Sequence, residues 1–217
     1  MSNTTAIYQL RLSLVEIEPE IWRQILVPAD IKLPKLHLVL QAAMGWRNCH
    51  LHTFRDAENS YSPMPEENLF LDEKNIRLCD LLQDQGQILE YEYDMGDSWL
   101  HIVEIEKVLK PEAGKTYSSC IDGANDCPPE DCGGAPGYEN LFDVLANSKH
   151  PEYKDMKQWL DNYGPEPFDL KIVNRHLAAL APKIPGKKAS TKIDTAKKRS
   201  PRYVWAPDLR KTRKKAG

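Results

Sequence analysis

The stretch Tyr91-Glu92-Tyr93-Asp94-Met95-Gly96-Asp97-Ser98-Trp99-Leu100-His101 leaves the backbone few options. Leu89, Tyr91 and Tyr93 alternate with Glu90, Glu92 and Asp94, which is the spacing of a half-buried strand. Asp94 to Ser98 holds Gly96 between two acids, a turn composition that calls for one residue at positive φ. Trp99, His101, Val103 and Ile105 then share one face of a returning strand. Leu100 and Ile102 fill the other face, so this strand is expected to be buried on both sides and central in its sheet. The bend thereby gathers Asp94, Asp97, Ser98 and His101 at the end of a rigid hairpin, and a site is expected there.

The flanking chain supplies the rest of the layer. Ile7 to Val15 alternates as a strand with one wet face, Glu18-Pro19-Glu20 turns it, and Ile21 to Val27 returns until Pro28 stops it. Leu33 to Met44 reads as a helix, with Pro34 in its first turn, Leu36, Val39, Leu40 and Ala43 as its stripe, and Gly45 at the left-handed cap. Trp46 is expected to dock on the sheet, and His50 to Phe54 to form a short strand with His50 and His52 on one side. Asn59 to Lys74 reads as an exposed loop, and Ile76 to Leu82 as a short helix or strand. Lys110 to Gly137 shows no period and carries four prolines, so a loop this long needs something to fix it. Tyr138 to Ala146, Glu152 to Tyr163 and Asp169 to Leu180 read as three helices, the last capped by Asp169 and striped by Leu170, Val173, Leu177 and Leu180. The class that follows is α+β: a mixed or antiparallel sheet with one packed helix, a long Cys/Pro-rich loop and a C-terminal helical segment.

Charge divides the chain in two. Residues 183–217 hold 13 Lys/Arg and 2 Asp/Glu, whereas residues 1–182 hold 16 Lys/Arg and 30 Asp/Glu, and the total of −3 conceals the difference. The expected layout is an acidic α+β domain over 1–182 and a basic, disordered tail over 183–217. In that tail Lys197, Lys198, Arg199, Arg202, Arg210, Lys211 and Arg213 surround Tyr203 and Trp205, the mixture that pairs phosphate contact with base stacking. A merely solubilising tail, or one that folds back on the acidic body, is the competing reading. No apolar run approaches a membrane span and no export signal opens the chain, so a cytoplasmic protein with no membrane contact is expected. Five cysteines then read as thiols or metal ligands, not as a disulfide frame.

Three segments carry a likeness to known proteins. They are Trp22 to Pro28 with Leu33-Pro34-Lys35-Leu36-His37, then Tyr93 to His101, then Cys127-Pro128-Pro129-Glu130-Asp131-Cys132-Gly133-Gly134. On these strings residues 6–180 resemble the plasmid pRiA4b ORF-three-like family, whose members are at times labelled transposon-passenger, mobile-element-associated proteins. The resemblance implies a compact α+β domain and brings no assigned activity. A resolvase reading fails on the residues, because Tyr8-Gln9-Leu10-Arg11-Leu12-Ser13 has one residue too many between Tyr and Arg for a serine recombinase.

Two candidate metal sets stand beside bland alternatives. His50, His52, Asp94, Asp97 and His101 are zinc-ligand types; His52, Asp97 and His101 would form a hydrolytic site with Asp94 or Glu92 as base. The alternative makes His101 a core histidine and lets Asp94 and Asp97 cap the turn. Cys120, Cys127 and Cys132 resemble a zinc knuckle, against the reading that they are small buried hydrophobes. Ser98 lies near His101 without a nucleophile elbow, and Cys132 could act with Asp131 and a distant histidine. Phosphate-binding glycine motifs are missing. The leading expectation is a non-enzymatic interaction module, tethered to nucleic acid by its tail; the rival is a metal-dependent hydrolase centred on Asp94, Asp97 and His101.

Overall fold

The hairpin predicted from Leu89 to Ile105 is the middle of an eight-stranded sheet. The computed structural model describes residues 5–164 and 167–180. In chain order the strands are β1 (Ile7–Leu14), β2 (Trp22–Pro28), β3 (His52–Arg55), β4 (Ser60–Ser62), β5 (Leu71–Asp72), β6 (Ile88–Tyr93), β7 (Trp99–Leu109) and β8 (Ser119–Ala124). The helices are α1 (Leu33–Met44), α2 (Leu78–Leu81), α3 (Gly134–Leu145), α4 (Tyr153–Tyr163) and α5 (Leu170–Leu180). Strands line up β5-β4-β3-β6-β7-β1-β2-β8, antiparallel throughout except for the parallel β4–β5 pair. The fold is therefore α+β with a mixed sheet. No helix among the described residues is long and apolar enough to cross a membrane.

One face of this sheet builds the core. Leu10, Leu12 and Leu14 of β1, Ile25 and Val27 of β2, Leu89, Tyr91 and Tyr93 of β6, and Trp99, Val103 and Ile105 of β7 are all buried on it. Helix α1 covers them because its stripe Leu36, Val39, Leu40 and Ala43 is fully buried, each large side chain stabilising by roughly 2 kcal/mol. Gly45 ends α1 at φ 94°, and its N–H returns to Gln41 O. Trp46 follows into the core and stacks on Tyr93, ring centroids 5.1 Å apart. The opposite sheet face is half-open: Leu100 and Ile102 are only partly buried, so β7 is central without being covered on both sides.

Two stretches differ from the sequence reading. Asn59 to Lys74 contains β4, β5 and a 3-10 turn over Glu73–Asn75, which buries the Glu73 carboxylate. Residues 110–137 contain β8, an edge strand along β2 whose Asp122-Gly123 stretch hides its pleat from any periodicity test. The three C-terminal helices form, and Asp169 Oδ1 accepts from Lys171 N and Ile172 N at the start of α5. Val173 and Leu177 are the buried part of the α5 stripe, while Leu170 stays exposed. The basic tail beyond Leu180, with its nucleic-acid candidates, lies outside the described residues.

Candidate metal centre

The bend between β6 and β7 places its strain on polar residues and not on its glycine. Asp94 and Ser98 adopt φ 59° and 54°, whereas Gly96 keeps an ordinary φ. Asp tolerates that region because its short side chain can bond locally. Asp94 Oδ1 accepts from Gly96 N (3.0 Å) and Asp97 N (3.4 Å). Gly96 suits this close approach, since a Cβ there would meet Asp94 Oδ1 at 3.2 Å, tighter than an ordinary contact. With Oδ1 held by the turn, Asp94 Oδ2 faces out of the hairpin toward His50.

His50 arrives from the segment after α1. Tyr93 Oη accepts from both Cys49 N (2.9 Å) and His50 N (3.3 Å) and donates to Glu130 Oε1 (2.6 Å). Burial, together with the Glu130 carboxylate, pushes the Tyr93 phenol far up, so it stays a neutral donor. Glu130 Oε2 accepts from Arg47 N (3.1 Å), and Trp46 Nε1 donates to Pro128 O (2.9 Å). Gly133 N donates to Asp97 Oδ2 (3.1 Å), and Gly134 sits so close that a Cβ would lie 2.4 Å from Asp97 O. These contacts are what fix the Cys/Pro-rich loop on the hairpin.

Docking the loop delivers Asp131. His50 Nε2 lies 3.1 Å from Asp131 Oδ1 and 3.6 Å from Asp94 Oδ2. Among the described residues this is the one group of three His, Cys, Asp or Glu side chains whose ligand atoms all fall within 4.8 Å of one another. Two atoms each about 2.1 Å from a shared ion stand about 3.0 Å apart at right angles and about 3.4 Å apart at tetrahedral angles. The His50–Asp131 spacing falls in that range and the His50–Asp94 spacing lies about 0.2 Å beyond it, so a shared ion would draw Asp94 Oδ2 slightly inward. His50 Nε2 is enclosed yet makes no hydrogen bond to a described residue. Asp131 is exposed, so the fourth side of the group opens to solvent.

The sequence-derived candidates are placed differently. His52, Asp97 and His101 do not converge. His101 is fully buried; its Nδ1–H donates to Trp99 O (2.9 Å) and Tyr91 O (3.2 Å), and the Trp46 ring edge packs 5.2 Å away. Burial pulls its pKa down to about 4, so it is a neutral core histidine. The phase that put His101 among Trp99 and Val103 already carried that signal. His52 also points inward, with Nε2 3.0 Å from buried Glu73 and its ring stacked on His37 at 3.6 Å. His50 lies ahead of β3, so the expected strand phase does not reach it and the two imidazoles part. His37 Nε2–H donates to Asn48 Oδ1 (2.6 Å), leaving Nδ1 to accept from Tyr91 Oη (2.8 Å). Desolvation, then the neighbouring His52, takes the pKa of His37 down to about 4.

Cys120, Cys127 and Cys132 form no ligand group. All five cysteines are free thiols, and Cys120 and Cys127 are buried. Burial pushes Cys120 up to about 11, Cys132 up to about 12 with Asp97 contributing, and Cys127 well up, the behaviour of small hydrophobes and not of activated nucleophiles. Ser98 Oγ donates to Glu92 Oε1 (2.7 Å), away from His101's buried ring. The residue that spacing could not supply is Asp131, since its meeting with His50 and Asp94 depends on loop docking.

Comparison with known proteins agrees with the fold. The family model described as plasmid pRiA4b ORF-3-like protein matches residues 6–174. An uncharacterized protein, y4hQ of Sinorhizobium fredii (strain NBRC 101917 / NGR234), is 34% identical over 173 residues, covering 78% of this chain and 87% of its own. The crystal structure of the protein of unknown function MM3350 from Methanosarcina mazei Go1 superposes with a TM-score of 0.69 at 36% identity, covering 77% of this chain and 97% of that one. The likeness carried by the Trp22, Tyr93 and Cys127 segments is thereby established, and the chain belongs to the plasmid pRiA4b ORF-3-like family.

Proposed function

We propose that this protein is a binding module whose recognition centre is a divalent cation held by His50, Asp94 and Asp131. The observation that carries this reading is His50 Nε2, enclosed, without a hydrogen bond, and facing two carboxylate oxygens at 3.1 and 3.6 Å. One imidazole with two carboxylates suits a borderline cation such as zinc or manganese better than calcium. The competing description is a protonated His50 forming ion pairs with both acids. A bound cation would keep solvent-facing positions beside exposed Asp131, where a partner's carboxylate or phosphate could complete its coordination.

A binding role is favoured over metal-dependent hydrolysis because the acids nominated as bases are already engaged. Asp94 Oδ1 holds the turn and Glu92 holds Ser98. Glu130 is tied to Tyr93 and Arg47. The acidic domain 1–182 would repel nucleic acid, so we assign any such contact to the tail 183–217, through Arg202, Tyr203, Trp205, Arg210, Lys211 and Arg213.

Titration calorimetry of the chelator-treated protein with manganese and zinc tests the centre. One site per chain, lost in His50→Ala and Asp94→Asn, is expected; equal binding by both variants would refute it. For the tail, filter binding to single-stranded DNA is expected to fall steeply with salt, and to disappear when Arg210, Lys211 and Arg213 are replaced by alanine. Unchanged retention would remove that part.

A further inference from the structure

A second candidate site shares no ligand residue with the His50 group. Helices α1 and α5 flank a half-open cavity of about 520 Å³, within the size range of small-molecule sites. Arg23 forms part of its lining and is only 1% exposed. Its guanidinium donates to Ala43 O (3.0 Å), Trp22 O (2.8 Å) and Ala124 O (2.8 Å), and its carbon sits 3.9 Å from the Phe168 ring centroid. Those acceptors engage Nε and Nη1; Nη2 makes no hydrogen bond to a described residue. No acid among the described residues lies within ion-pairing distance of it, and the Oδ1 of nearby Asp126 accepts from Phe168 N. A buried cation without a counter-charge is costly unless something supplies one.

The remaining lining says what that something is. Arg47 and His176 add exposed basic groups to the lining, and among the described residues no Asp or Glu lines the cavity. That is a cationic hollow in a domain carrying 30 acidic residues against 16 basic ones over 1–182. Leu38, Met44, Ile172 and Phe168 make the walls apolar. Gly123 permits this arrangement, because a Cβ there would meet Phe168 at 2.7 Å and Arg23 at 2.9 Å. We infer that this cavity binds a small amphipathic anion, a monocarboxylate with an aliphatic or aromatic body. Its carboxylate would meet the basic groups of the lining, Arg23, Arg47 and His176, and its body would displace water from the apolar walls.

Calorimetry of the full chain in chelator, with octanoate, octan-1-ol and octylamine as probes, tests this. Octanoate is expected to bind saturably, octan-1-ol at least tenfold more weakly, and octylamine not at all. Arg47→Ala/His176→Ala, two exposed positions that leave the core alone, should weaken octanoate about tenfold without changing octan-1-ol. Ala42→Trp, which fills the cavity from α1, should abolish both, with a melting curve confirming that the variant folds. Equal affinity for octanoate and octan-1-ol, binding that survives Ala42→Trp, or no octanoate binding into the millimolar range would each overturn the proposal. Because chelator is present throughout, none of these outcomes bears on the His50 centre.

Discussion

Tyr93→Phe is the perturbation with the most informative consequences. The substitution removes one oxygen from a buried ring and leaves its packing against Trp46 intact. It deletes three hydrogen bonds at once: from Cys49 N, from His50 N and to Glu130 Oε1. The bond to the carboxylate is charge-assisted and contributes about 1.5–3 kcal/mol, and each amide bond about 0.5–1.5 kcal/mol. Cys49 is exposed and Glu130 half-buried, so water recovers part of this, and a net loss of about 2 kcal/mol is expected. For a chain of this size that is a fall of about 4–8 °C in Tm. Urea unfolding should show a lower midpoint with an unchanged slope. The same hydroxyl ties the backbone of His50 to the residue preceding Asp131, so cation affinity should fall with stability although Tyr93 touches no ion. A stability loss below about 0.5 kcal/mol, the ordinary size of a surface substitution, would show that the hydroxyl does not join the two arms.

Other outcomes follow from the same contacts. His37 and His101 are held neutral with pKa values near 4, below the usual 6.5, so their contribution is complete above pH 6.5 and is lost as pH falls toward 4. Each corresponds to about 3 kcal/mol over that window; urea midpoints at pH 7.5 and 4.5 should differ accordingly, and a flat profile would contradict the burial reading. Gly134→Ala combines φ 67° with a Cβ 2.4 Å from Asp97 O, so it should cost more than about 2 kcal/mol in unfolding experiments and weaken cation binding as the loop lifts. Titration with a thiol reagent should find exposed Cys49 reacting first and buried Cys120 and Cys127 reacting only on unfolding. Fast modification of Cys127 would break that assignment.

The parts of this fold that sequence discloses are those where one face meets one solvent. The β6–β7 hairpin, α1 with its Gly45 cap, and α5 with Asp169 at its start all obey a single period. Strand β8 does not, because it is an edge paired only with β2 and carries Asp122 and Gly123 in its middle. Glu73 looked like loop surface and is instead the buried partner of His52, a pairing 21 residues apart that no local pattern encodes. Asp94 was legible as a turn-former, and the structure keeps that role on Oδ1 while freeing Oδ2 for His50. His101 and Asp97 drew attention by type, yet one is core and the other is a clamp for Gly133. Asp131 reaches His50 only because Glu130, Trp46 and Gly134 seat the loop, and that is tertiary information.

Anomalous diffraction from crystals grown with manganese or zinc tests the cation centre most directly. A single peak about 2.0–2.2 Å from His50 Nε2 and from one oxygen each of Asp94 and Asp131 is the predicted result. A peak at His52 and Glu73, a peak at the Cys127–Cys132 loop, or no peak with the metal in excess would contradict it.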